Sequence, residues 1–345
     1  MSSSIEGLQF PIDPDTQKSS SSNIGKEIIA EALSLVDHQQ SQHVLAERNW
    51  RKNYPIHFKA LVENGIKTSR NAISIATQGL HKAQHSFDFF RDGQRYTLKD
   101  VMEVPLVHKI QTITVKGQAE IQPEWYVPYH GKKLQGQDLL EQIQTWLDAG
   151  IIEQSHATAL HEAVAHPEWF DLSDRTLVLF GAASEAGPLT WLSKWKANII
   201  ALDLPNERIW DKILNNVKNG NATLYAPSFQ AISNPENFDE LKSKLGANLL
   251  TQIPEIIQWL SDNPHKLDLA SIAYLDGEKH VRVSMAMDTI MSQVSAQKPD
   301  SSLMYMCTPT DVYAVPKEVI EASAHKFVQR SKLETILSKG ISTVS

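Results

Sequence analysis

The stretch Leu177-Val-Leu-Phe-Gly181-Ala-Ala-Ser184-Glu185-Ala-Gly187-Pro188 decides how this chain is read. Thr176 to Phe180 is an apolar run without polar alternation, the pattern of a strand buried on both faces. The small residues after it predict a tight turn, and Pro188 is suited to the first position of a short helix running to Trp195. Glycines at 181 and 187 allow the backbone to approach a pyrophosphate, whose charge is favoured by free amides at a helix N-terminus.

Downstream, the alternation repeats. Asn198 to Leu202 reads as a strand, Asn206 to Val217 as a helix, Ala222 to Ala226 as a strand and Pro254 to Ser261 as a helix. Leu267 to Tyr274 and Leu303 to Cys307 follow as strands, with helices over Val283 to Ser295 and Pro316 to Gln329. Repeated βα units with unalternated strands predict a doubly wound, mostly parallel sheet over residues 169–345, with helices on both faces. The second strand ends in Asp203. An acid at that point is placed to accept hydrogen bonds from an adenosine ribose and to repel a 2′-phosphate, which selects NAD over NADP.

Upstream, residues 1–24 are rich in Ser and Pro and predict a disordered arm. Residues 25–168 predict a mainly helical region, with apolar spacing of three and four at Ile28, Ile29, Ala32, Leu33 and Val36. Within it, residues 92–135 predict a short β-rich wrap around Arg95 to Leu98 and Ile110 to Val115. Leu139, Ile143 and Trp146 form a helical face that stops at Gly150.

The turn after Phe180 resembles that of the short-chain dehydrogenase/reductase family, Gly-x-x-x-Gly-x-Gly, with Ala-Ser inside it. The likeness spans roughly residues 174–330, and the middle glycine is replaced by Glu185. That carboxylate either bars a dinucleotide or turns away to cap the first helical turn. The resemblance implies a Rossmann-like domain and an NAD(P)-dependent oxidoreductase acting on an unidentified carbonyl or alcohol. Its cofactor would lie over Gly181, Ala182, Ser184, Glu185, Gly187, Asp203 and Leu204. The family's Tyr-x-x-x-Lys pair is matched by Tyr313-Ala-Val-Pro316-Lys317, with Thr308 or Thr310 as the accompanying hydroxyl. Pro316 suits the first position of a helix, which sets Tyr313 outside the face that carries Lys317. Two other classes stay open. One is an S-adenosylmethionine-dependent methyltransferase, which also uses a glycine turn and a strand-end acid; the other is a silent Rossmann-fold binding or regulatory protein.

Composition narrows the partners. The chain has 345 residues, a net charge of −7, 41% hydrophobic and 21% charged residues, which suits a folded chain with a small-molecule substrate and no nucleic acid. One cysteine, Cys307, points to a reducing, cytoplasmic setting. No apolar run is long enough to span a membrane, and the composition leaves room for a homo-oligomer. The loop Tyr274 to Arg282 lies at the ligand edge expected of such a sheet. His81, His85 and Asp88 share a helical face, while His161 and His166 are five apart and diverge; no metal site is assigned.

Overall fold

The computed structural model describes residues 6–12, 19–306 and 317–329. Contacts divide the chain into two compact units, residues 1–122 with 172–309, and residues 123–171 with 310–345.

The first unit begins with strand β1 (Gly7–Gln9) and four helices, α1 (Ser21–Leu33), α2 (His38–Ala46), α3 (Trp50–Gly65) and α4 (Ser69–Ser86). Side chains cap three of them: Ser20, Asp37 and Thr68 accept the amides of Asn23, Gln40 and Asn71, satisfying donors that a helix start leaves open. Ile29, Ala30, Leu33 and Val44 form a small core between α1 and α2, against which Trp50 and Leu61 of α3 pack. Strands β2 (Asp88–Arg91) and β3 (Gln94–Thr97) follow as a hairpin, and β1 pairs antiparallel with β2. The sequence places β1 inside a disordered arm. Leu8 and Phe10 are instead buried in the main core, and that burial offsets the ordering entropy which the Ser- and Pro-rich composition suggests is unmet. The last element of this stretch is β4 (Gln111–Lys116).

The second unit contains the hairpin β5 (Val127–Tyr129) and β6 (Lys132–Leu134) and the helices α5 (Gly136–Asp148) and α6 (Gln154–Ala165). His130 and Gly131 take positive φ at the hairpin turn. Leu134, Leu139, Ile143 and Ala157 form its core.

The remaining elements belong to the first unit, apart from the last helix. They are β7 (Thr176–Phe180), α7 (Leu189–Leu192), β8 (Asn198–Leu202), α8 (Glu207–Lys218), β9 (Thr223–Ser228), α9 (Phe238–Lys244), α10 (Ile253–Ser261), β10 (Asp268–Ser271), α11 (Glu278–Gln297) and β11 (Ser302–Tyr305). Helix α12 (Lys317–Val328) lies in the second unit.

The molecule is mixed α/β, and its main sheet has six strands in the order β11-β10-β7-β8-β9-β4. Every pairing in it is parallel except β4 with β9. Alternate residues of β7 enter different cores. Val178 and Phe180 pack with α10 and α11, while Leu179 packs with α7 and α8. A strand buried on both sides needs apolar side chains at every position, which is why it shows no alternation. The chain leaves β7 towards β8 and β9, then returns to the other side of β7 for β10 and β11. Their carboxyl ends meet at that reversal. Among the described residues no helix is long and apolar enough to cross a membrane.

Candidate functional site

A cavity of about 830 Å³ opens at the carboxyl ends of β7, β8 and β10. Gly181, Ser184 and Glu185 line it from the turn after β7, Asp203 and Leu204 from the end of β8. Leu249 and Leu250 supply one wall, and Tyr274, Leu275, Lys279 and Val283 supply the opposite one.

Gly181 is required on two counts. Its φ is +84°, and an added Cβ would stand 2.7 Å from the Cα of Ala273, nearer than carbon atoms approach without moving backbone. Gly187 lies behind the cavity wall, where a Cβ would meet the side chain of Ile272 at 3.1 Å. Ala182, expected at the cofactor, is instead fully buried in the core shared with α7 and α8.

Asp203 reaches across the turn. Its Oδ2 accepts the Ala183 amide at 2.9 Å and its Oδ1 accepts the Leu204 amide at 2.8 Å. Lys212 completes the arrangement by donating to the Ala183 carbonyl at 2.8 Å. Burial pushes the Asp203 carboxyl above its ordinary value, while the two amides and Lys212 pull it down. Leu204 is held from below, because the fully buried Trp210 donates its indole N–H to the Leu204 carbonyl at 3.1 Å.

The turn is largely self-satisfied. Gly181 and Ala182 donate to Leu202, Ala183 to Asp203, Ser184 to Gly181 and Gly187 to Ser184. The expected helix Pro188 to Trp195 reduces to the four residues of α7, so its aligned peptide dipoles are few.

On the opposite wall, His280 packs against Tyr274 with ring centroids 4.7 Å apart and accepts the Leu275 amide on Nδ1 at 3.4 Å. Arg282, expected in a loop, lies near the start of α11 and donates to the Leu8 carbonyl at 2.8 Å. Tyr313, Thr308, Thr310 and Cys307 lie outside the described residues, and Lys317 stands exposed in the second unit, paired with Glu321 at 3.0 Å. Asp88 pairs with Arg95 on the neighbouring strand, and among the described residues no group of three or more His, Cys, Asp or Glu side chains is arranged to hold a metal ion.

The sequence pointed to the turn, to Asp203 and to the loop from Tyr274. It held no signal for Ala247 to Leu250, an irregular segment brought to the cavity only by the fold. Comparison with protein-family models, with curated proteins and with solved structures finds no match to this chain.

Proposed function

We propose that the first unit is a Rossmann-like, doubly wound domain, and that the protein is an NAD-dependent oxidoreductase acting on a small carbonyl or alcohol. The observation that carries this reading is the course of the cavity. It crosses the turn after β7, with Leu204 and Leu249 on the β8 side and Ala273, Tyr274 and Val283 on the β10 side. A dinucleotide binds in such sheets across the crevice where the strand order reverses. The cavity's volume falls within the range of cofactor sites.

In this reading the adenosine lies towards Leu204 with its ribose at Asp203, and the nicotinamide lies towards Tyr274 and Val283. The protein's own groups orient the cofactor and exclude water. Lys279 lines the cavity at that end, and His280 beside it accepts the Leu275 amide on Nδ1.

A second reading, methyl transfer from S-adenosylmethionine, draws support from the turn itself. Five amides between 181 and 187 are already engaged, the following helix is one turn long, and Glu185 adds a carboxylate to the lining. All three disfavour a diphosphate and suit a cationic cofactor.

A thermal-shift series with NAD, NADP and S-adenosylmethionine separates the two. Ligand at about 100 times its dissociation constant adds about 2.7 kcal/mol. NAD is expected to stabilise most and NADP less; stabilisation by S-adenosylmethionine alone overturns the oxidoreductase reading.

A further inference from the structure

We propose that the three-stranded sheet β1-β2-β3 is a brace for this cavity, in which Leu8, Arg91 and Arg282 are positioning residues that hold two of its walls at a fixed separation. The proposal rests on reading the cavity as a ligand site.

The first wall is the irregular segment Ala247 to Thr251. It receives two ties from the small sheet: the Leu8 amide donates to the Leu250 carbonyl at 2.8 Å, and Arg91 Nη2 donates to the Thr251 carbonyl at 2.8 Å. Arg91 is itself fixed, being buried against Glu255 at 2.8 Å and donating to the Pro105 carbonyl at 3.1 Å. The second wall is the start of α11, where Lys279 and Val283 share a face one turn apart. Arg282 of that turn donates to the Leu8 carbonyl at 2.8 Å.

Leu8 therefore donates to one wall and accepts from the other through a single peptide unit on each side. Its side chain is fully buried in the cluster that also holds Leu249 and Val283. Gly7 permits this approach. Its φ is +73°, and any Cβ there would collide with the Leu250 carbonyl oxygen. A segment without regular structure is ordered only where such contacts offset its conformational entropy. The ties on both sides of Leu8 convert a loop and a helix start into walls with one spacing, which lowers the ordering cost of binding.

The test is hydrogen exchange by mass spectrometry on the full chain without ligand, together with NAD titration. Arg282→Gln removes the tie to α11, Gly7→Ala pushes β1 off Leu250, and Arg282→Lys keeps a donor. Peptides covering 245–252 and 278–285 are expected to exchange about tenfold faster in the first two variants, the effect of one hydrogen bond. Peptides of β8 and β9 should stay as in the wild type, and Arg282→Lys should lie near it. NAD affinity should fall several-fold in step with the exchange. The brace is overturned if Arg282→Gln leaves both segments unchanged, if it loosens the whole sheet equally, or if the wild type binds NAD and every variant binds it with the same affinity. A wild type that binds no NAD, with both segments still loosening together, supports the brace and removes the cofactor reading.

Discussion

Asp203 and Ala183 are joined by a hydrogen bond of 2.9 Å from the amide of the glycine turn to the carboxylate that ends the next strand. The acid that ends β8 thus also fixes the shape of the turn beside it. Asp203→Ala leaves the half-buried Ala183 amide and the exposed Leu204 amide without their partner; water can reach the second, so the loss should be about 1 kcal/mol, that of one net hydrogen bond. The expected outcome is a lower denaturation midpoint together with a smaller difference between NAD and NADP in the thermal shift. A variant with wild-type stability would show that the turn holds itself.

The same carboxyl gives a pH dependence with opposite signs for stability and binding. Its value is raised in the folded state, chiefly by burial. A raised group lends stability that is fully present below the unfolded value and is lost as pH rises through the folded one. NAD requires the ionised acceptor, so affinity should climb over that interval, from the ordinary value of 3.8 upward. Asp203→Asn should abolish both trends. NAD affinity that is flat with pH in the wild type would take Asp203 out of the ribose site.

Glu185 lines the cavity at the position where the short-chain dehydrogenase/reductase turn that this one resembles carries glycine. Glu185→Gly removes a negative charge from the path of a diphosphate and should tighten NAD binding by about fivefold, the effect of roughly 1 kcal/mol of charge repulsion in a wet site. Isothermal titration measures it. If S-adenosylmethionine is the cofactor, the same variant should bind it more weakly.

The two glycines of the turn should respond differently. Gly181→Ala meets the backbone of Ala273 and a left-handed φ, so the folded yield should collapse or stability fall by at least about 1–3 kcal/mol. Gly187→Ala has no left-handed φ to satisfy and meets the Ile272 side chain and the Ser184 carbonyl oxygen, each at 3.1 Å, so it should cost less than Gly181→Ala and leave the protein folded. Chemical denaturation of both variants distinguishes a strained position from a crowded one.

Arg91 and Glu255 are buried on both sides, with side chains 8% and 2% exposed. Arg91→Met strands the Glu255 carboxylate and should cost about 3–5 kcal/mol. Adding Glu255→Leu should restore much of that loss, since replacing a buried pair by apolar groups is often neutral. Failure of the double variant to recover would show that the bonds from Arg91 to Thr251 and Pro105 carry the stability.

Much of the parallel sheet was legible because strands buried on both faces leave an unmistakable apolar run. Thr176 to Phe180 and Asn198 to Leu202 coincide with β7 and β8. What escaped was set by distant contacts. Strand β1 is three residues among Ser and Pro, and its partners lie on β2 and at Leu250. Helix α9 has only Leu241 buried, too little for a periodic signal. Pro188 marks the start of α7, yet nothing local shows that it stops at Leu192. The chain also groups its first helices with the sheet and sets residues 123–171 apart, where composition suggests one boundary near residue 168. Asp203 could be singled out as a strand-end acid, but its bond to Ala183 depends on how two neighbouring turns meet.

The bond between Arg282 and Leu8 spans 274 residues of chain. During synthesis at about 5–20 residues per second, that interval lasts on the order of tens of seconds. Over that interval Leu8 and Phe10, which end in the central core, gain β2 and Phe87 early but wait for Leu250 and α11 to complete their packing. Strand β1 is therefore finished only by elements made long after it. A nascent chain halted short of α11 is where its exposed apolar residues are open to chaperones and to misassembly.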